Sequence, residues 1–337
     1  MPNRYYVAGI VFVVVGVLLF GLANNAALAQ IARSPQQAMN TLRVSPLRTD
    51  ISLDPGETSV VRVTIANPSS QSITVKAAVN DFTTQDEDGT PALLLDDASA
   101  MPKHSLKQFL APVDDIVLAP KTTKAVEVPV RVPSNAEAGG YFGAIRFTPA
   151  TSGAASDVNT SASVASLIIL TVTGTAPEQL DLTTFEVQQK AKAGRVFLSD
   201  EALSVATRFA NSGALQAGPF GRVSVTKGDT VVYETDFNDA TPRGLVLPDS
   251  ARRWDIPLGE IGGLGRYTAH ATFTYGQTNQ TIEVSKSFWI VPKWLVVALC
   301  VGFVSLLGGI VWWSIAQQRT KRRSQFSIRR SHRRRYR

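Results

Sequence analysis

The strongest constraint on this chain is an alternation of apolar and polar residues with period two, repeated through its central part. It is clear in residues 61–66, 126–132, 203–209 and 267–275. Successive side chains of a β-strand point to opposite faces of a sheet, so the pattern predicts strands with one buried face. No central run keeps the i, i+3, i+4 spacing of an amphipathic helix over three turns. The folded part is therefore expected to be all-β.

Two strands carry further information about their place in a sheet. Residues 164–173 are apolar on both faces at their centre, which predicts a strand with neighbours on either side. Pro129 interrupts the polar set of residues 126–132 and cannot donate to a ladder, which favours an edge strand.

Three landmarks occur twice and in the same order. Each half has a strand that ends in Asn and turn residues, then a segment containing Pro, then Gly and Tyr at the start of the penultimate strand. A tyrosine there suits the corner of an immunoglobulin-like sandwich, where its hydroxyl bonds back to the backbone. The corner and turn positions are Pro55, Gly56, Asn67, Gly140, Tyr141, Asn211, Gly213, Gly265 and Tyr267.

The repeat predicts two tandem immunoglobulin-like β-sandwiches, at about 41–176 and 177–292. Residues 30–293 number 264, which is comfortable for two domains. Residues 83–112 are an insertion in the first domain, and the small polar residues 149–163 are a loop between its last two strands.

The N-terminus has the layout of a secretory signal peptide. Arg4 precedes an apolar run at residues 7–23, and Ala27 and Ala29 stand at the −3 and −1 positions of an A-x-A site. Residues 1–29 would then be removed, with Gln30 as the first mature residue. An uncleaved anchor is the alternative, because the apolar run is slightly long.

The C-terminus has the layout of a membrane span followed by a basic tail. Residues 295–315 contain no charge in 21 residues, and a bilayer core takes about 20. Residues 317–337 hold ten basic and no acidic residues, which predicts residues 30–293 outside the cell and residues 316–337 in the cytoplasm. The tail is predicted to contact anionic lipid through Arg319, Lys321, Arg322 and Arg323.

The net charge of +7 reflects this segregation. Without the tail and Arg4, 23 Lys and Arg remain against all 27 Asp and Glu, so residues 30–293 carry −4. We therefore expect no nucleic-acid partner.

Catalytic and metal-binding patterns are sparse. Cys300 is the single cysteine and lies within the apolar C-terminal run, and His104 and His270 are both expected at the surface. No common nucleophile, zinc-protease or phosphate-loop motif occurs. Asp86 and Asp88 are weak candidates for a cation site, with an Asp-Gly turn as the favoured interpretation. We expect neither an enzyme nor a cofactor.

Four segments of the first half form a recognisable set: Leu53-Asp54-Pro55-Gly56, the strand ending at Asn67, Val130-Arg131-Val132-Pro133 and Gly139 to Ile145. In these segments the first half resembles the first domain of WxL-interacting proteins. The second half is similar to that family's second domain through Asn211-Ser212-Gly213, residues 247–252 and residues 265–276.

The resemblance implies a non-enzymatic cell-surface protein. Its first domain would bind peptidoglycan, and its second would hold another exported protein. Two alternatives remain open: a receptor or assembly subunit whose basic tail contacts cytoplasmic or lipid partners, and a surface hydrolase that uses paired carboxylates.

Overall fold

The computed structural model describes residues 42–95, 101–150, 163–198, 201–259 and 261–333. From Leu42 onward the chain forms one compact unit. Within the described residues the first half contains a 3-10 turn at Lys107–Phe109 and the strands β1 (Arg43–Ser45), β2 (Arg48–Leu53), β3 (Thr58–Ala66), β4 (Ile73–Thr84), β5 (Pro91–Leu93), β6 (Ile116–Leu118), β7 (Thr123–Arg131), β8 (Gly139–Pro149) and β9 (Val164–Val172).

The first half is a sandwich of two sheets. One sheet has the order β1-β3-β7, and the other has β2-β9-β8-β4-β5 with β6 also paired to β4. The β2–β9 pair is parallel and the other pairs are antiparallel. Alternate residues of both sheets share one core, including Val63, Val128, Ile145 and Leu170.

The second half repeats the arrangement with its own core. Its sheets have the orders β11-β10-β13-β16 and β12-β18-β17-β14-β15. Phe209, Phe237 and Phe273 meet at its centre, with ring centroids 5.1–6.0 Å apart. The strands are β10 (Leu180–Gln189), β11 (Lys192–Ala193), β12 (Val196–Leu198), β13 (Leu203–Asn211), β14 (Phe220–Lys227), β15 (Thr230–Phe237), β16 (Ser250–Leu258), β17 (Gly265–Tyr275) and β18 (Gln280–Val291).

Within the described residues the predicted fold class is confirmed: they form two tandem immunoglobulin-like β-sandwiches and one C-terminal helix. Strand β9 lies between β2 and β8, as its two apolar faces predict. Strand β7, which contains Pro129, is the last strand of its sheet. The domain limits at 41–176 and 177–292 stay a prediction.

One helix, α1 (Lys293–Arg333), follows β18 after Pro292. Its first 21 residues, Lys293–Trp313, are long and apolar enough to cross a membrane by length and composition. At about 1.5 Å per residue they extend roughly 30 Å, close to the thickness of a bilayer core.

Candidate functional site between the two sandwiches

The two predicted turn asparagines, Asn67 and Asn211, are buried at equivalent places in the two sandwiches. Each side-chain amide reaches across to the segment that contains the predicted proline. Asn67 Nδ2 donates to the carbonyl oxygen of Ala119 at 3.0 Å, and Asn211 Nδ2 donates to that of Val246 at 2.9 Å. Two of the repeated sequence landmarks are thus joined by hydrogen bonds in each half.

The two predicted corner tyrosines bond to nearby backbone. Tyr141 Oη donates to the carbonyl oxygen of Glu137 at 2.9 Å, and Tyr267 Oη donates to that of Gly262 at 2.6 Å. Burial, followed by the neighbouring charge of Glu137, raises the pKa of Tyr141 above its ordinary value. Both hydroxyls hold the loop before their strand, which is a structural role.

The remaining predicted turn residues also serve the backbone. Pro55 and Gly56 lie in the turn between β2 and β3, where Gly56 has φ +88°. A Cβ at Gly213 would lie 2.7 Å from the carbonyl oxygen of Pro177, so the loop needs glycine for this close approach. Gly265 opens β17 opposite Ile290.

The Asp86–Gly89 segment connects the two sandwiches. We call residues 85–90, between β4 and β5, the clasp. The backbone N–H of Arg253 donates to the carbonyl oxygen of Glu87 at 2.5 Å. Arg253 lies in β16, the last strand of its sheet, so the clasp occupies part of an open sheet edge.

The carboxylate of Glu87 strengthens this contact. Arg208 donates from Nε to both carboxylate oxygens at 3.0 Å and from Nη2 to Oε1 at 2.8 Å. The hydrogen bonds from Arg208 hold the pKa of Glu87 below its usual value, and Arg253 adds to the effect. Both partners are partly exposed, which limits the contribution of the ion pair to stability.

Asp88 and Gly89 shape the tip of the clasp. Asp88 accepts hydrogen bonds from the backbone N–H and the hydroxyl of Thr90, both at 2.8 Å, and these bonds lower its pKa. Gly89 has φ +82°, and a Cβ there would lie 2.3 Å from Arg252 Cζ. The favoured interpretation as an Asp-Gly turn agrees with this geometry. Within the part of the chain that the structure describes, no three His, Cys, Asp or Glu residues converge to hold a metal ion.

Arg252 packs beneath the clasp as a half-buried cation. Its guanidinium stacks 4.7 Å from the ring centroid of Trp254 and donates from Nη1 to the carbonyl oxygen of Leu245 at 3.1 Å. Burial lowers its pKa below the ordinary value; Arg48 adds to the effect, and Asp88 opposes it.

A second contact forms at the start of β8, where the backbone N–H of Gly140 donates to the carbonyl oxygen of Ala214 at 2.9 Å. A Cβ at Gly140 would lie 2.5 Å from Gln216 Oε1, so glycine permits this approach. The predicted surface position of His104 is wrong. Its side chain is 16% exposed, lies beside the rings of Tyr141 and Phe142, and donates from Nδ1 to the carbonyl oxygen of Gly140 at 2.7 Å.

An apolar cluster completes the junction. Phe82, Phe142 and Ile169 of the first sandwich pack against Leu247, with Leu245 at the margin. The junction thus combines buried apolar surface, backbone hydrogen bonds and ion pairs, which makes a fixed arrangement of the two sandwiches.

A cavity of about 480 Å³ opens at this junction. Arg48 lies in its wall and donates from Nε and Nη2 to the two carboxylate oxygens of Asp50, each at 2.7 Å. Its Nη1 donates to the carbonyl oxygen of Arg243 at 2.8 Å, which ties the sandwiches together at the cavity. Both sandwiches line the cavity, through Arg48, Asp50 and Thr171 on one side and Gln216, Phe220 and Arg243 on the other.

The residues that build the clasp and the cavity carry no motif in the sequence. Arg48 and Arg243 are 195 positions apart, and Glu87 and Arg208 are 121 apart. The single local signal was the acidic Asp86–Asp88 run, which marks an exposed loop but not its partner.

The other residues singled out in the sequence lie on different elements or outside the described residues. His270 is exposed on β17, and Cys300 is exposed on α1. The predicted cleavage residues Ala27, Ala29 and Gln30 lie outside the described residues. Helix α1 includes the positions of the predicted lipid-contacting residues Arg319, Lys321, Arg322 and Arg323.

One family model matches part of the first sandwich. Residues 49–149 match the model of the WxL interacting protein, peptidoglycan binding domain. This match supports a cell-surface role in peptidoglycan binding. Among proteins of curated function, none matches the chain.

Several solved structures share parts of the architecture. The class 5 fimbriae chaperone CfaA has a TM-score of 0.37 and 11% identity over 75% of this chain and 100% of that one. The E. coli chaperone DraB has a TM-score of 0.33 and 13% identity over 74% and 96%. A protein of unknown function from Porphyromonas gingivalis W83 has a TM-score of 0.27 and 14% identity over 74% and 98%. Superpositions this loose carry no argument about function. The family match is specific to the first sandwich: residues 49–149 are similar to the WxL interacting protein, peptidoglycan binding domain.

Proposed function

We propose that this chain is a non-enzymatic, membrane-anchored surface protein that binds peptidoglycan and scaffolds another exported protein. The family match at residues 49–149 carries the proposal. No cofactor is part of it. The domain limits at 41–176 and 177–292 belong to it, with the first domain as the wall-binding part and the second as the partner-binding part.

The membrane-proximal end of the second sandwich supports anchoring. Only Pro292 separates β18 from the apolar helix. Val196, Trp289 and Arg266 are register neighbours across β12, β18 and β17, and all three are exposed close to that helix. Exposed apolar and aromatic side chains beside basic ones suit a lipid headgroup region. In this proposal residues 30–293 face outward and residues 316–337 face the cytoplasm.

The open edge of β15 supports the scaffolding part. Strand β15 is the last strand of its sheet, and its side chains Val231 and Val232 are 54% and 44% exposed. An exposed edge with β-branched side chains can accept an added strand from a partner protein. Photo-crosslinking from position 232 in intact cells should capture an exported protein, whereas crosslinking from position 62, on the other sandwich, should not. Equal capture from both positions would remove β15 from the proposal.

Co-sedimentation with insoluble peptidoglycan tests the wall-binding part. The full chain, purified in detergent micelles, should pellet with purified cell-wall sacculi in a saturable manner, and it should not pellet with cellulose. A chain that stays in the supernatant with sacculi, or that pellets equally with both polymers, would contradict the proposed function.

A further inference from the structure

The described surface of the first sandwich suits the peptide part of peptidoglycan better than its glycan. Residues 41–176 contain five aromatic side chains, and all five are buried: Phe82, Phe109, Tyr141, Phe142 and Phe147. Sugar rings commonly stack on exposed aromatic faces, and this sandwich offers none. Recognition by this sandwich would then use charged and hydrogen-bonding groups, which suits the peptide that is attached to the glycan.

We propose that the cavity between the two sandwiches binds the stem peptide of peptidoglycan by its free carboxylate, at Arg243. The inference rests on the proposed function, because it names the part of peptidoglycan that is recognised. Stem peptides carry free carboxylates, and many carry a side-chain amine.

Arg243 packs on an aromatic ring and has no ion-pair partner among the described residues. Its guanidinium carbon lies 3.8 Å from the ring centroid of Phe220. Among the described residues no carboxylate lies within ion-pair distance of it. A planar guanidinium presents paired N–H groups that match the two oxygens of a carboxylate.

The loop that carries Arg243 is fixed by its neighbours. Asn238 Nδ2 donates to the carbonyl oxygens of Pro219 at 2.7 Å and Gly244 at 2.9 Å, and its Oδ1 accepts from the Gly244 N–H at 2.8 Å. Arg48 holds the carbonyl of Arg243 from the other sandwich. A cation fixed before binding loses little conformational entropy when the ligand arrives, which favours affinity.

The cavity also offers an anion for the amine of the ligand. Glu178 lies in its wall, and its two oxygens accept from the backbone N–H of Gln277 at 3.1 and 3.0 Å. No cation pairs with Glu178 among the described residues, whereas the neighbouring Asp50 is neutralised by Arg48. An unpaired cation and an unpaired carboxylate in one cavity complement a peptide that carries both charges.

The site is shared between the sandwiches, so binding depends on their arrangement. Arg243 belongs to the second sandwich, outside the matched residues 49–149, while Arg48 and Asp50 belong to the first. The test therefore uses the full chain in detergent micelles. Calorimetric titration would compare a synthetic stem pentapeptide with its C-terminal amide and with a linear L-peptide of the same charge.

Arg243→Gln should weaken binding of the free-carboxylate pentapeptide about ten- to hundredfold, the usual range for a hydrogen-bonded charge. It should also abolish the preference over the amide. Arg222→Gln is the matched control, because Arg222 is an exposed arginine of β14 that pairs with Glu234 and Asp236 on the edge strand β15. Glu178→Gln should weaken the pentapeptide that carries a free amine more than its acetylated form.

Sacculi stripped of their peptides by an amidase distinguish stem-peptide recognition from peptidoglycan binding as such. Pelleting with intact sacculi but not with stripped glycan supports the inference. Equal pelleting with both overturns it and leaves the proposed function standing, whereas no pelleting with either overturns the proposed function. Unchanged pentapeptide affinity in Arg243→Gln, or equal affinity for the linear L-peptide, would also overturn the inference.

Discussion

The buried amide of Asn211 should be irreplaceable by a carboxylate of the same shape. Its Nδ2 donates to the carbonyl oxygens of Leu215 at 2.7 Å and Val246 at 2.9 Å, and its Oδ1 accepts from the Gly213 N–H at 2.9 Å. Asn211→Asp replaces the donor with an oxygen that faces two carbonyl oxygens. No cation is paired with this position among the described residues.

A buried charge left without a partner costs about 3–5 kcal/mol. At about 2–4 °C per kcal/mol for a chain of this size, the melting temperature should fall by about 6–20 °C. Burial raises the pKa of the introduced carboxyl above its unfolded value, so the loss should be largest at pH 7 and should shrink as the pH falls towards 4.

Asn80→Asp is the matched control. Asn80 is equally buried, but its Oδ1 accepts from Arg146 Nε at 3.2 Å, so a carboxylate there gains a charge-assisted partner. Its Nδ2 bond to the Leu94 carbonyl would be lost, and the net cost should be about 1 kcal/mol.

Calorimetry of the full chain gives the melting temperatures. Hydrogen exchange followed by mass spectrometry shows which strands lose stability. Asn211→Asp should raise exchange in β13 and β16 but not in β3 and β7. Equal destabilisation by the two substitutions, or a loss in Asn211→Asp that grows as the pH falls, would refute the argument from hydrogen-bond partners.

Three further perturbations address the junction and the membrane end. Gly140→Ala should displace the Gln216 side chain from Thr171, because the new Cβ would lie 2.5 Å from Gln216 Oε1. Hydrogen exchange should rise at the junction, around Gly140 and Gln216, whereas Gly262→Ala, with nothing within 4 Å of its Cβ, should leave exchange there unchanged. Glu87→Gln should loosen the clasp at neutral pH, seen as faster proteolysis of residues 85–90. Because Arg208 lowers the pKa of Glu87, the ion pair is complete above the ordinary pKa, and the wild-type clasp should loosen as the pH falls through the lowered value. Trp289 is the exposed ring nearest the helix in the second sandwich, so brominated lipid should quench its fluorescence when the full chain is in vesicles. Trp289→Phe should lose that part of the quenching. Equal quenching in the variant and the wild type would contradict membrane contact by the sandwich.

The acidic loop at residues 85–90, the clasp, has a structural role that its sequence does not indicate. A run of exposed acidic residues is usually interpreted by itself, as a turn or as a cation site. Here the partners of Glu87 are Arg208 and Arg253 on the other sandwich, and its backbone carbonyl contributes as well as its carboxylate. Removal of the loop would therefore alter the cavity and the arrangement of both sandwiches. A loss of wall binding after deletion of residues 83–112 would not by itself identify a ligand contact.

Local pattern was sufficient for the strands and for the position of several of them. Alternation at 61–66 and 267–275 depends on residues two apart, and the buried set of each strand follows directly from it. The apolar residues on both faces of β9 predicted a strand with neighbours on both edges, and β9 lies between β2 and β8 in the sheet. The repeated Asn and Pro landmarks marked loops correctly, although their joining by the Asn side chains requires the folded chain.

The partial burial of His104 and the contacts between the sandwiches were beyond local pattern. His104 was expected at the surface because a histidine in a polar loop usually is, but Tyr141 and Phe142 enclose it once β8 is docked. Arg48 and Arg243 have no distinguishing neighbours in the chain. Phe220, Asn238 and Arg48 together fix the place of the Arg243 guanidinium and its loop.

The amino-acid order was enough to establish an all-β architecture, an apolar C-terminal helix and the segregation of charge, because each depends on residues close together in the chain. The clasp and the cavity depend on how two independently cored sandwiches meet, and the partial burial of His104 depends on the packing of its loop against β8. Side chains that join the sandwiches are 121 or 195 positions apart. Their pairing energy exists only after both cores have formed, so no periodicity within either sandwich can record it.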